Sequence, residues 1–297
     1  MNKETHPSLK GIKASLIGII ASLFLAIIKG VTGIIGNSQA MIADAIESVA
    51  DVFTSIIVII GLKVSAREPD EDHPYGHGKA EPIAGIVISM ALIAAAIYIC
   101  ISSIKYIITP HETPESYTLL VLIIVVAIKE LLFRYVIKIS TETNSNAIKA
   151  DAWHHRSDAI TSIAAFIGIS IALIGGEGYE SADDWAALFA AAVILFNAYL
   201  IFKPAFAEIM DTAPPFEMNQ EAKKVASEIN GVLGLEKCFV RKMGFEYYID
   251  LHVIVNGDKS VREGHDIAHK VKDAIKNADP RIKDVLVHIE PEDELEK

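Results

Sequence analysis

The sequence predicts an α-helical membrane protein: six transmembrane helices followed by a small α+β domain. Three observations lead there. Of 297 residues, 52% are hydrophobic and the mean hydropathy is +0.36, high for a chain in which 22% of residues are charged. Apolar and charged residues are segregated into an apolar front and a charged tail. The apolar runs are long enough to cross roughly 30 Å of hydrocarbon at about 1.5 Å per residue.

Those runs lie near residues 12–35, 40–64, 82–108, 117–139, 147–174 and 185–206. Gly36-Asn37-Ser38, the proline-flanked run 109–116 and the glycine- and acid-rich run 175–184 read as loops. Lys3, Lys10, Lys13, Lys63, Arg67, Lys79, Arg134, Lys138, Lys149 and Lys203 gather on one side, leaving Lys105 and Lys29 near helix ends on the other. The basic side is expected to face the cytoplasm, so a multi-pass protein of the cytoplasmic (inner) membrane with both termini inside follows. The polar start, Met1 to Lys10, has no cleavable signal pattern. With six helices the two three-helix halves run oppositely, which suits an inverted repeat with a site near the midplane.

At Asp211-Thr212-Ala213-Pro214-Pro215 the composition turns polar, so a membrane domain over 1–210 and a soluble domain over 211–297 are expected. The tail reads as helix 217–230, strand 236–241, strand 246–255, helix 260–278 and strand 283–290. Tyr247, Ile249, Leu251, Val253 and Val255 alternate onto one face of the middle strand. The α-β-β-α-β order predicts a sandwich with helices on one side of the sheet.

Some function classes fall away early. The net charge is −11 and no basic stripe with interleaved aromatics is visible, so nucleic acid is not an expected partner. Cys100 and Cys238, the two cysteines, lie in different segments and make no disulfide framework.

The chemistry starts from a repeated pattern. Ala43-Asp44-Ala45-Ile46-Glu47-Ser48-Val49-Ala50-Asp51 recurs as Ala150-Asp151-Ala152-Trp153-His154-His155-Arg156-Ser157-Asp158, in or beside apolar runs. A bare carboxylate in hydrocarbon is expensive unless a partner or a cation neutralises it. Positions four apart share a helix face, so Glu47 with Asp51 and His154 with Asp158 each aim two ligands at one point. Three carboxylates and one imidazole suit zinc, iron(II), cobalt(II) or manganese(II), and the carboxylate share leans toward the harder ions. The competing expectation is that these acids pair with Arg156, Lys149 or helix-end amides. Asp44 and Asp151 fall on the same faces as ligands, orienting groups or proton carriers, and His155 sits beside them as a packing residue.

A second group of ligand types, Asp70, His73 and His77, lies in a loop whose prolines and glycines allow the three to converge as a weak, exchangeable metal site. In the tail, His252 with Asp250 and His288 with Glu290 lie on the non-core sheet face, a further metal candidate; His265 and His269 share one helix face.

On Ser38 to Asp51, His73-Pro74-Tyr75-Gly76-His77-Gly78-Lys79-Ala80-Glu81, Ala150 to Asp158, Asp211-Thr212-Ala213-Pro214 and His288-Ile289-Glu290-Pro291, the chain resembles the cation diffusion facilitator family. The resemblance spans essentially the whole chain. It implies a homodimeric antiporter that moves a divalent metal out of the cytoplasm in exchange for protons, with a metallochaperone-like cytoplasmic domain that dimerises on metal. It further implies a central site of Glu47, Asp51, His154 and Asp158, a loop site of Asp70, His73 and His77, and a cytoplasmic site of His252, His265, His288 and Glu290. A charge pair of Lys79 with Asp211 is implied to hold the dimer. Two positions depart: Glu47 is longer than the usual first ligand, and Glu236-Lys237 stand where a first-strand histidine is usual. Zinc is the expected cargo, with manganese, iron(II), cobalt or cadmium as alternatives. A metal-gated channel or sensor is the rival reading. An enzyme is not expected, since no H-E-x-x-H pair is present.

Overall fold

The computed structural model describes residues 7–109, 112–143, 146–176, 178–213 and 216–292. Six long helices come first: α1 (Pro7–Ile35), α2 (Gln39–Ser65), α3 (Ala80–Ile108), α4 (Tyr117–Thr143), α5 (Asn146–Gly175) and α6 (Ala182–Ile209). They are followed by α7 (Phe216–Ser227), β1 (Gly234–Met243), β2 (Glu246–Val255), α8 (Val261–Ala278) and β3 (Ile282–Pro291). The protein is therefore a helical membrane domain followed by an α-β-β-α-β domain. Among the described residues, 5 helices are long and apolar enough to cross a membrane. The sixth, α4, has Lys129, Glu130 and Arg134 inside its apolar run.

The chain divides into two compact units, residues 1–57 with 87–200, and residues 58–86 with 201–297. In α6 the division falls between Leu200 and Ile201, beside Pro204, which cannot bond the carbonyl of Leu200.

In the first unit, Ile20, Phe24, Ile27, Val31 and Ile34 are exposed along α1 at helical spacing, while Leu25 and Lys29 are buried. A lipid-facing stripe thus lies opposite a packed one. Helix α1 packs on α4 and α5, and α4 on α5; Ala40 and Met41 of α2 join Leu122, Ala165 and Ile169 in one apolar cluster. Asn37 closes α1 in the left-handed region at φ 51, where the Ser38 amide donates to the Gly33 carbonyl at 3.0 Å. Ser38 then caps α2, its Oγ accepting from the Met41 amide at 3.1 Å. Asp183, buried at the start of α6, accepts from Ser38 Oγ at 2.7 Å and from the Gln39 and Ala40 amides at 2.5 and 3.3 Å. A carboxylate on the positive end of α2 thus anchors the helix that carries the first acidic motif.

In the second unit, the sheet has the order β1-β2-β3, with β1 antiparallel and β3 parallel to β2. The expected stripe holds: Ile249, Leu251, Val253 and Val255 are core, packed with Ile267, Val271 and Ile275 of α8 and Ala222 and Ala226 of α7. The other face of β2 is left for polar chemistry. Ser260 starts α8 through a capping box, accepting from the Glu263 amide at 3.3 Å while Glu263 accepts from the Ser260 amide at 2.8 Å.

The turn between β1 and β2 is tied to the ends of the long helices of the same unit. Glu208 on α6 accepts from Lys242 Nζ at 2.8 Å and from the Gly244 amide at 2.6 Å. Gly78, before α3, lies so close that a Cβ there would sit 2.5 Å from the Met243 carbonyl oxygen. Tyr248 Oη donates to the Tyr75 carbonyl at 3.1 Å.

Candidate metal centre

In the first unit two acids of the repeated motif, Asp44 and Asp158, each pair with a buried lysine. Lys29 on α1 and Lys129 on α4 have fully buried side chains. Lys29 Nζ sits 2.9 Å from Asp44 Oδ1 and donates to Ser48 Oγ at 2.6 Å and to the Asp44 carbonyl at 3.1 Å. The second oxygen of Asp44 accepts from Ser162 Oγ on α5 at 2.8 Å. Lys129 Nζ donates to Asp158 Oδ2 at 2.5 Å and to Ser22 Oγ on α1 at 3.0 Å. Breaking such a buried pair by deleting one partner costs about 3–5 kcal/mol, because it strands the other charge.

The charges that reach Glu47 are Asp51, Asp44, Asp158 and Lys29, so acids of α2 and α5 share one electrostatic neighbourhood. Glu47 Oε2 is buried without a hydrogen-bond partner among the described residues. The side chains of Asp151 and His154 lie outside the described residues. His155 is buried on α1, with its Nε2 2.6 Å from where a Cβ on Gly18 would stand. That is the packing role the sequence allowed.

The ion-pair partners differ from those expected. Arg156 lies over the rings of Phe133 and Trp153, at 4.7 and 5.5 Å, and among the described residues no ion pair of it with an acid is seen. Lys29, read as a helix-end residue, is fully buried, and Lys129 was missed entirely. The signal for Lys129 was an ionisable side chain inside an apolar run, the same logic that picked out the acids.

In the second unit the loop residues converge as expected. Asp70 Oδ1 accepts from the His73 amide at 2.7 Å and lies 2.9 Å from His73 Nδ1, while Asp70 Oδ2 is 3.4 Å from His77 Nε2. The two imidazole centroids are 4.3 Å apart. The hydrogen bond from His73 holds the Asp70 carboxyl below its ordinary range. Gly76, at φ 81, supplies the left-handed residue that folds the loop back. One donor atom from each of Asp70, His73 and His77 falls within a 4.8 Å group, a fair nest for one ion.

The sheet carries a second group, Glu236, His252 and Glu290, also within 4.8 Å. His252 pairs with His288 in the β2/β3 register, and their rings are 5.0 Å apart. His252 Nδ1 hydrogen-bonds Glu290 Oε1 and lies 3.3 Å from Glu236 Oε2; His288 Nε2 is 3.8 Å from Glu290. Glu236 enters through the irregularity in β1 between Leu235 and Cys238, where two residues face one position of the partner strand. The Lys237 ammonium at 2.9 Å, with a smaller contribution from His252, keeps its carboxyl below the ordinary range. Glu236, read as a departure from the histidine usual there, is thus a third donor. His265 is outside this group; it is exposed on α8 with its ring 4.5 Å from that of His269.

Lys79 and Asp211 do pair, at 2.7 Å, and within one chain; Lys79 also donates to the Glu208 carbonyl at 3.0 Å. Asp211 stands in the left-handed region at φ 51 and closes α6, with the Thr212 amide donating to the Ala207 carbonyl at 2.9 Å.

Two family models match: the cation efflux transmembrane domain over residues 15–210 and the cation efflux protein cytoplasmic domain over residues 214–292. The chain belongs to the cation diffusion facilitator family. It is 35% identical over 248 residues to the manganese efflux system protein MneP of Bacillus subtilis, covering 81% of this chain and 82% of that one. It is 31% identical over 242 residues to the magnetosome protein MamB of Magnetospira sp., covering 81% and 82%. A solved C-terminal domain of MamM is 23% identical at TM-score 0.25, over 25% of this chain and 95% of that one. As a cation diffusion facilitator the protein is a multi-pass membrane transporter that effluxes divalent metal cations, not an enzyme. Its C-terminal domain is of the type through which such proteins dimerise.

Proposed function

We propose that this chain exports manganese(II) from the cytoplasm in exchange for protons, by alternating access around Glu47, Asp51, His154 and Asp158. The observation that carries the reading is the carboxylate-rich neighbourhood in which the charges of Asp51 and Asp158 reach Glu47, with Asp158 buried and Glu47 and Asp51 half-buried. Oxygen donors favour manganese over the softer transition ions, and the similar MneP is described as a manganese efflux protein. Zinc, first on sequence grounds, and iron(II) follow as weaker cargoes. Six spans, with both termini in the cytoplasm, fit the lysine distribution; α4 is the sixth, since its Lys129 faces an acid rather than lipid. Metal binding requires deprotonated ligands, so the carboxylates and His154 take up protons when the ion leaves.

The Asp70–His73–His77 loop and the Glu236–His252–Glu290 sheet group, with His288 beside it, are proposed as ancillary metal sites, the latter acting in the homodimer. Asp44, held by Lys29 and Ser162, orients the site, and Asp151 does so from the second motif. The pair of Lys79 with Asp211 braces the dimer through α6. The test is uptake into proteoliposomes of manganese, zinc, iron(II), cobalt and cadmium, with internal pH recorded. Manganese flux with opposing proton movement is expected, and Glu47→His should move zinc up the ranking. Flux that ignores the pH gradient would favour a metal-gated channel.

A further inference from the structure

Two buried ammonium groups serve the acidic cluster, and their surroundings differ. Lys29 is closed off: its Nζ has the Asp44 carboxylate, the Asp44 carbonyl and Ser48 Oγ, and Asp44 is further held by Ser162. Lys129 is not. It bonds the outermost motif acid, Asp158, and has a second acceptor, Ser22 Oγ, on a different helix. An ammonium that loses Asp158 therefore keeps a hydrogen bond without moving.

Resting on the central site proposed above, we propose that Lys129 is a tethered rival of the transported ion. Its ammonium holds Asp158 in the metal-free protein, is displaced onto Ser22 when metal binds, and returns to drive release. Lys129 is thus a positioning residue that sets affinity by competition, keeping the site weak enough to let its cargo go. Ions that gain most from a carboxylate oxygen overcome the rival best, so the same residue sharpens selectivity.

Manganese and zinc affinities measured by calorimetry on the full-length, detergent-purified protein test this. Lys129→Gln removes the rival and should tighten manganese binding about tenfold or more, since a charge-assisted hydrogen bond no longer has to be broken. Lys129→Arg offers Asp158 a two-pronged partner and should weaken binding severalfold. A residue that merely holds the fold would not give shifts of opposite sign. If Lys129→Gln binds manganese as weakly as Asp158→Asn, or if Lys129→Arg binds it as tightly as the wild type or more so, the proposal is overturned. The arginine variant decides should the glutamine variant not fold. Wild-type affinity in Asp158→Asn would instead sink the central site itself.

Discussion

The acids of the membrane unit and those of the C-terminal sheet meet the same problem, crowded negative charge, in opposite ways. In the membrane unit two fully buried lysines are set against Asp44 and Asp158. In the sheet, Glu236, His252 and Glu290 lie at the surface side of a core, with His252 hydrogen-bonded to Glu290 and the partly exposed Lys237 on Glu236. The difference follows from the medium. Hydrocarbon offers no water to screen a carboxylate, so charge balance has to be built into the chain. Beside water the acids need no buried ammonium: Glu290 pairs with an imidazole and Glu236 with a surface lysine.

Experiments can break this contrast. The largest effect is expected from Asp51→Asn, which should cut manganese transport on the order of 100-fold or more in proteoliposomes while the protein stays folded. Retained flux would remove Asp51 from the central site. Next, Lys29→Met should strand Asp44 and cost about 3–5 kcal/mol in unfolding experiments in detergent. The double variant Lys29→Met with Asp44→Leu should recover most of that loss; if it does not, the pair is more than charge balance. A smaller change is expected in the sheet, where Glu236→Gln should weaken metal binding to the C-terminal group about tenfold. Saturated transport should stay near the wild-type rate. The smallest concerns pH. Hydrogen bonds from Ser260 hold the Glu263 carboxyl below its ordinary range. A lowered folded-state value means that this contribution is present at neutral pH and fades as the pH falls below that of an ordinary glutamate, about 4.3. Ser260→Ala should flatten the acid limb of the thermal-stability curve, and an unchanged limb would discount the capping box as its source.

Much of this was legible beforehand. The stripe through Ile249, Leu251, Val253 and Val255 announced its strand and its core face, because alternation has a single structural meaning over that length. The loop triad was legible for a local reason: Asp70, His73 and His77 are close in sequence, and short spacing limits how far apart they can fold. What stayed hidden depended on pairing across helices or strands. Nothing near Lys129 in the chain points to Asp158, and Lys29 looked like a cation reaching for the membrane surface. Glu236 was hidden by the irregularity in β1, since period-two counting cannot see an inserted residue.

Gly78 has a mechanical meaning. With no room for a Cβ beside the Met243 carbonyl, no side chain can separate the loop that enters α3 from the turn joining β1 and β2. The Glu208 carboxylate clasps that same turn through Lys242 and the Gly244 amide. The hairpin is therefore the handle of a crank, joined by direct contact to the foot of α3 and the foot of α6.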